Sequence, residues 1–459
     1  MTQRLPNFII FITDDQGYGD LSCMGATDFR TPHLDRLAAS GVRFTSWYAN
    51  SPVCSPSRAS LLTGRYPGNA GVRSILRGHR TATGLPPRVP TLATALKPLG
   101  YQTAMIGKWH LGVAEESRPH RHGFDEWFGF LAGCIDYYSH IFYWSMNQEL
   151  TIDGKTVRMA QLHDLWENNQ EVYYDGHYFT ELIAERAVDY VRRAARAGRP
   201  FFLYVAFNAP HYPMHAPQKY KARFPDLPWD RQIMAAMLSA VDDAVGQIMD
   251  ELERQGIREH TCIFFISDNG PSREARNWLD GTPDPYYGGS AGILKGHKFS
   301  LFEGGIRVPG LLSWPARIPA GQVVDGVGVA MDIFPTFLKA AGGDPGRYEL
   351  DGIDLLPMLV GDVPWPEREV FWEMGRQTAV RRGRWKLVLH GQLVEGVPPE
   401  DDIFLADLET DMGERVNLRE QYPELVAELR AAAEAWRAAI EARWEREWLP
   451  LTTGTTTHG

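Results

Sequence analysis

Four short runs constrain the fold of this chain more than any other feature: Phe8-Ile-Ile-Phe-Ile12, Tyr101-Gln-Thr-Ala-Met-Ile106, Phe201-Phe-Leu-Tyr-Val-Ala-Phe207 and Thr261-Cys-Ile-Phe-Phe-Ile-Ser267. Runs that are mostly apolar and do not alternate with period two belong to strands buried on both faces, the condition of strands in a parallel sheet. Helical patterns lie between them, at Thr31–Ser40, Thr91–Leu99, Tyr178–Ala197 and Ile233–Glu253. Each run ends in side chains that carry chemistry: Asp14 and Asp15, then Lys108 and His110, then His211, then Asp268 and Asn269. Open α/β sheets bind ligands at the carboxyl ends of their strands, so the four ends predict one site. Lys108 and His110, two apart, point the same way if that segment is extended.

The stretch Ser51-Pro-Val-Cys54-Ser-Pro56-Ser-Arg58-Ala-Ser-Leu-Leu-Thr63-Gly64-Arg65 supplies a nucleophile candidate and a cation within five residues. Pro56 suits a first helical position, because its missing N–H would be unbonded there anyway. The spacing predicts a short helix from Ser57 to Thr63, ended by Gly64. Cys54 then sits just ahead of a helix N-terminus, a place for an anion. Asp14 and Asp15 are a good hard-oxygen pair for a divalent cation, and Asp268 and Asn269 can each coordinate a hard cation through oxygen.

The formal net charge of −10 disfavours nucleic acid as a partner and gives no general attraction for an anionic substrate, so any anion is held by a local cluster. The four cysteines (23, 54, 134 and 262) are too widely spaced for a CxxC metal pattern or a disulfide framework. No stretch is long enough to span a bilayer. The chain enters its first strand without a secretory h-region, so a cytoplasmic location is expected. The glycine-rich run Gly288–Pro309 lacks nucleotide-binding spacing. Gly123-Phe-Asp-Glu-Trp-Phe-Gly129 reads as an aromatic loop, and Leu131 to Val172 reads either as a wall of a substrate pocket or as a surface excursion. Around Pro364-Trp-Pro366 the pattern shifts to short strands at hairpin spacing, followed by a helix from about Tyr422 to Trp448 and a tail, 452–459, expected to fray. Two domains are expected, residues 1–365 and 366–459.

The motif C-x-P-S-R with L-L-T-G-R resembles the signature of the type I, formylglycine-dependent sulfatases of the alkaline phosphatase superfamily. Thr13-Asp-Asp, Gly107-Lys-Trp-His-Leu-Gly112, Pro210-His211, Ser267-Asp-Asn-Gly270, Lys298 with Glu303-Gly-Gly, and Leu405-Ala-Asp-Leu-Glu-Thr-Asp look like further landmarks of that family, in its order. The resemblance implies a large mixed sheet sandwiched by helices, with a smaller C-terminal α+β domain of antiparallel sheet and long helix. It implies a sulfuric ester hydrolase in which Cys54 is oxidised to formylglycine by a formylglycine-generating enzyme. Asp14, Asp15, Asp268, Asn269 and the modified Cys54 would hold one divalent cation, usually calcium, with magnesium also fitting. Arg58 would hold the formylglycine hydrate, and Lys108 and Lys298 would grip sulfate oxygens. His110 and His211 would move protons. Many relatives place a further hydroxyl about twenty-five residues after the GKWH motif; here that region reads Gly133-Cys-Ile-Asp-Tyr-Tyr-Ser139, without an assigned equivalent.

This inventory suits in-line attack of a hydrate oxygen on a sulfate monoester, with His211 or Lys298 protonating the departing alcohol and His110 driving release of sulfate. The substrate class, aryl or carbohydrate sulfate, and the oligomeric state stay open. Two other readings compete: a phosphonate monoester or phosphodiester hydrolase on the same scaffold, and a non-catalytic metal-binding protein whose Cys54 stays a thiol.

Overall fold

The computed structural model describes residues 4–142, 149–152, 155–158, 162–273, 288–399 and 401–450. Its principal elements are strand β1 (Asn7–Thr13), helix α1 (Cys54–Thr63), β2 (Gln102–Lys108), β3 (Glu126–Phe130), helix α2 (Phe179–Ala197), β4 (Phe201–Ala206), helix α3 (Trp229–Arg254), β5 (Thr261–Ser267) and β6 (Gly310–Ser313). The four strands read from the sequence are neighbours: β2, β4, β1 and β5 lie side by side, all parallel. β3 extends the parallel set beyond β2, so part of the expected aromatic loop is a strand, with Trp127 and Phe128 buried. Past β5 the sheet turns antiparallel through β6 and Val42–Phe44, and the whole is a mixed sheet of ten strands.

Register makes the strand ends flush. Thr13 pairs with Ser267, Ile12 with Ala206, and Ala206 with Gly107. The residues that follow therefore emerge along one edge. Alternate residues of β1 serve opposite faces. Ile9 and Phe11 pack with Leu182 and Ile183 of α2 and Val241 and Val245 of α3. Phe8, Ile10 and Ile12 pack with Leu61 and Leu62 of α1 and with Phe334. Burial on both sides explains why the runs do not alternate.

Two local expectations are corrected. Helix α1 begins at Cys54, not Ser57, so Cys54 is its first residue and Pro56 its third; Gly64 closes it at φ 68°. The first four N–H groups of a helix lack intrahelical acceptors, so proline fits anywhere in that turn. His110 is not extended: its φ is +53°, which turns its side chain away from the direction that alternation from Lys108 predicts.

The C-terminal part carries a four-stranded antiparallel sheet, β7 (Glu369–Met374), β8 (Gln377–Arg382), β9 (Trp385–Leu389) and β10 (Ile403–Asp407), and helix α4 (Pro423–Arg443), which continues as a wider π-type turn through Trp448. Leu429 and Ala433 of α4 cover Val380, Leu387 and Leu405 on one face of the sheet. The other face packs Trp372, Val388 and Phe404 against Tyr48, Leu301, Phe302 and Ile306. Within that contact Lys386, Glu303 and Glu414 are fully buried together. The expected frayed tail lies outside the described residues. Among the described residues no helix is long and apolar enough to cross a membrane.

Candidate active site

The flush strand ends deliver a compact charged cluster. Asp14 and Asp15 follow β1, and one ligand atom from each of Asp14, Asp15, Cys54 and His211 lies within 4.8 Å of the others. Asp268, after β5, accepts from Arg58 Nε at 3.0 Å and Nη2 at 2.8 Å through one oxygen, and from the Asp15 amide at 3.1 Å through the other. Asn269 Nδ2 donates to Asp15 Oδ1 at 2.7 Å, which leaves its Oδ1 buried without a hydrogen bond. Lys108 Nζ donates to Asp14 Oδ2 at 2.6 Å, and Lys298 Nζ to Asp15 Oδ2 at 2.9 Å. Lys298 Nζ also stands 3.4 Å from His211 Nε2. His211 lies between two cis prolyl bonds, Ala209–Pro210 and Tyr212–Pro213.

Every residue of α1 is buried, polar ones included. That is costly unless each polar group is answered, and most are: Ser60 Oγ donates to Arg65 O, Thr63 Oγ1 to Ala59 O, and Arg58 reaches Asp268 and the Lys108 carbonyl. The helix is thus a rigid mount for its first residue. Backbone strain gathers nearby: among the described non-glycine residues with positive φ are Asp15, His110 and Phe299, the last adjacent to Lys298. Such conformations persist where surrounding structure over-determines them, and they cluster at functional sites. Gly107 is required between Ile106 and Lys108, since its φ is +114° and a Cβ there would lie 1.9 Å from Ala206 O.

Burial dominates the electrostatics. It pushes the Cys54 thiol well above its usual pKa, with Lys108 and Lys298 opposing and Asp14 and Asp268 adding to the rise. Burial, then Lys108 and Arg58, hold His110 well below the usual imidazole range, so it is neutral. Its Nε2 lies 3.2 Å from Leu76 O and its Nδ1 is buried without a partner. Burial and Asp14 push Asp268 up, against Arg58 and Lys108. Burial alone would lower Lys108 and Arg58, but the carboxylates outweigh it and both stay charged. Crowded carboxylates, an open amide oxygen and a nearby imidazole fit a divalent cation.

All ten site residues read from the sequence fall in this region, with His110 one step back from the carboxylates. Sequence reasoning missed Tyr137, whose buried hydroxyl lies 2.9 Å from both Asn208 O and His211 O and so fixes the turn that carries His211. In the stretch where relatives place a hydroxyl, the residue against the His110 ring is Gly133: a Cβ there would lie 2.9 Å from Nε2.

A buried, charge-balanced and oxygen-rich centre, with a cysteine opening a rigid helix at the edge of an alkaline-phosphatase-like sheet, defines a hydrolase of anionic esters. The chain belongs to the sulfatase family, whose model, described as Sulfatase, matches residues 6–343, and it is a sulfuric ester hydrolase. N-acetylgalactosamine-6-sulfatase of Canis lupus familiaris is 34% identical over 403 residues, 83% of this chain and 71% of that protein. Arylsulfatase A of Bos taurus is 33% identical over 458 residues, 92% and 85%. The crystal structure of Ps i-CgsB in complex with k-i-k-neocarrahexaose superposes with a TM-score of 0.82 at 30% identity, covering 97% of this chain and 98% of that one. A phosphonate monoester hydrolase of Agrobacterium radiobacter superposes with a TM-score of 0.63 at 21% identity, covering 95% and 96%, a likeness of fold alone. The family uses a metal and a formylglycine.

Proposed function

We propose that this chain hydrolyses a carbohydrate sulfate monoester to alcohol and inorganic sulfate, with Cys54 converted to formylglycine by a generating enzyme. The observation that carries this reading is the setting of Cys54: a fully buried thiol, its Sγ 3.5 Å from Asp14 Oδ1, kept protonated by burial among charged groups. A thiol needs its thiolate to act as nucleophile, so the chemistry at this position comes from modification. Formylglycine supplies a hydrated aldehyde as nucleophile, and a divalent cation, calcium in our reading, supplies Lewis acidity.

Asp14, Asp15, Asp268 and the Asn269 amide oxygen would hold that cation. Arg58, anchored on Asp268, orients the group at position 54. Lys108 and Lys298 answer the charge on the sulfate oxygens, which builds toward the transition state. His211 and Lys298, 3.4 Å apart, stand where a proton is delivered to the departing alcohol oxygen. His110, neutral and buried, would accept a proton from the group at position 54. The carbohydrate class is supported by the oligosaccharide named in the Ps i-CgsB complex.

Trypsin cutting after Arg43 and Arg58 releases the Cys54 peptide whole. Conversion of thiol to aldehyde lowers its mass by about 18 Da, the atomic change that alters the nucleophile class. An unmodified thiol in active enzyme overturns the mechanism. Side-by-side assay of a sulfated oligosaccharide, an aryl sulfate and a phosphonate monoester tests the substrate class, and preference for the phosphonate ester overturns it.

A further inference from the structure

A second group of ligand atoms lies in the segment between β3 and α2. We propose that His140, His163 and Asp175 form a binding site for a divalent transition metal of the zinc class, separate from the carboxylate cluster. One ligand atom from each of the three lies within 4.8 Å of the others. Tetrahedral zinc with bonds of about 2.0–2.1 Å needs donors about 3.3 Å apart, a closure within reach of side-chain rotation. Asp175 is exposed and free to make it.

The backbone brings the two histidines together. Strands Ile141–Phe142 and Leu162–His163 pair antiparallel with Ile141 opposite His163, and the Asp164 amide donates to His140 O at 2.9 Å. His140 is fully buried, and the one backbone partner beside its ring is that of His177, so at least one ring nitrogen is left unanswered. Buried polar groups are normally satisfied, and an orphan needs an explanation.

His163 shows the complementary arrangement. Its Nδ1 meets Glu171 Oε1 at 3.0 Å, and Arg80 Nη2 fixes that same carboxylate at 3.0 Å. Its Nε2 is buried and unpartnered. Metal-bound histidines characteristically pass their second ring N–H to a carboxylate, which sets the tautomer and turns the other nitrogen to the metal. Two imidazoles and one carboxylate select a borderline ion over calcium, which prefers oxygen alone. Water takes the fourth position on the exposed side. The consequence reaches the active centre: three residues before His140 stands Tyr137, whose hydroxyl fixes the His211 turn. A metal pinning the two short strands holds that tyrosine in register.

The test uses full-length Cys54→Ala protein, so that the thiol of the carboxylate cluster contributes no signal. It is stripped with chelator, resupplied with excess Ca2+ for the carboxylate cluster, and titrated with Co2+. One equivalent should produce the visible ligand-field bands of a tetrahedral N/O site, and Zn2+ should bleach them. Asp175→Asn and His163→Ala, each in the same background, should lose the bands, and Glu171→Gln should weaken Co2+ binding about 10- to 100-fold. Asp175 is exposed, so its variant folds if the parent does, and circular dichroism verifies this. Absence of bands in the folded parent, or bands unchanged in Asp175→Asn and His163→Ala, overturns the site.

Discussion

Glu414 shows how the two sheets are joined, and its proton can be followed directly. The Glu414 carboxylate accepts from the Glu303 amide at 2.6 Å and meets Lys386 Nζ at 3.0 Å, and Lys386 also bridges to Glu303 Oε1 at 2.8 Å. One buried ammonium therefore serves two buried carboxylates. Glu303 has more help: Arg307 donates to it at 3.0 Å and Tyr48 at 2.6 Å. Burial works against its charge, but Lys386 and Arg307 outweigh burial and hold it at about 2. For Glu414 burial wins, and with the Glu303 carboxylate it pushes the group up to about 7 despite Lys386. Between its ordinary 4.5 and about 7, the native state keeps a proton that the unfolded chain has released. Stability from this carboxyl is therefore complete below pH 4.5 and is lost as pH rises through about 7. At about 1.4 kcal/mol per pH unit the loss is about 3 kcal/mol. The Glu303 window lies below pH 4.5 and does not overlap. Glu414→Gln keeps the shape and cannot titrate. Unfolding free energies of wild type and variant should be compared at steps from pH 5 to pH 8. The wild-type advantage should shrink by about 3 kcal/mol across that range, while the amide beside Lys386 adds only a constant offset. A difference that stays flat refutes the placement of the proton on Glu414.

Replacing Arg58 with Ala strands Asp268 in a fully buried place, and should cost about 3–5 kcal/mol, read as a fall in melting temperature; Arg58→Lys should recover the charge but not the paired grip on Asp268, and an unchanged melting temperature in Arg58→Ala contradicts the account. Tyr137→Phe should cost about 1–2 kcal/mol and lower kcat about tenfold with KM little altered, measured by steady-state kinetics; a wild-type kcat would remove Tyr137 as a positioning residue. His110 stays neutral well below the usual imidazole range, so kcat/KM should carry no inflection near pH 6.5 from this ring; an inflection there that vanishes in His110→Asn would show the opposite. Chelation should abolish turnover, and Asn269→Ala should raise the cation concentration that restores it, read by Ca2+ titration of activity.

What was legible in the sequence is a matter of which forces act locally. The runs at Phe8, Phe201 and Thr261 could be read because strands covered on both faces need no polar alternation. β3 was hidden because Glu126 and Gly129 interrupt its apolar residues, and only pairing with β2 makes it a strand. The start of α1 was missed by three residues because proline is tolerated throughout the first turn. The left-handed turn at His110 leaves no local signal, since the surrounding contacts impose it. Tyr137 was invisible for another reason: its hydroxyl acts on carbonyls 71 and 74 residues away, a distance no spacing rule spans. Most of the candidate site residues were legible because they follow strand termini, where topology converges them; Cys54 and Arg58 were legible from the motif that opens α1.

Charge balance ties these observations to the reaction. Asp14, Asp15 and Asp268 meet Arg58, Lys108 and Lys298 in one buried space, so the centre is close to neutral inside a chain of net charge −10. Lys108 rests on Asp14 and Lys298 on Asp15, the same carboxylates that would hold a divalent cation. Ammonium and cation would therefore compete for these oxygens. With the carboxylates answering a cation, the two ammonium groups would need another anion, which a sulfate ester could provide. Cation and substrate binding would then be one coupled event, and by linkage each would raise the affinity for the other by the same factor. A chain whose overall field disfavours anions would in this way admit one where a cation is held.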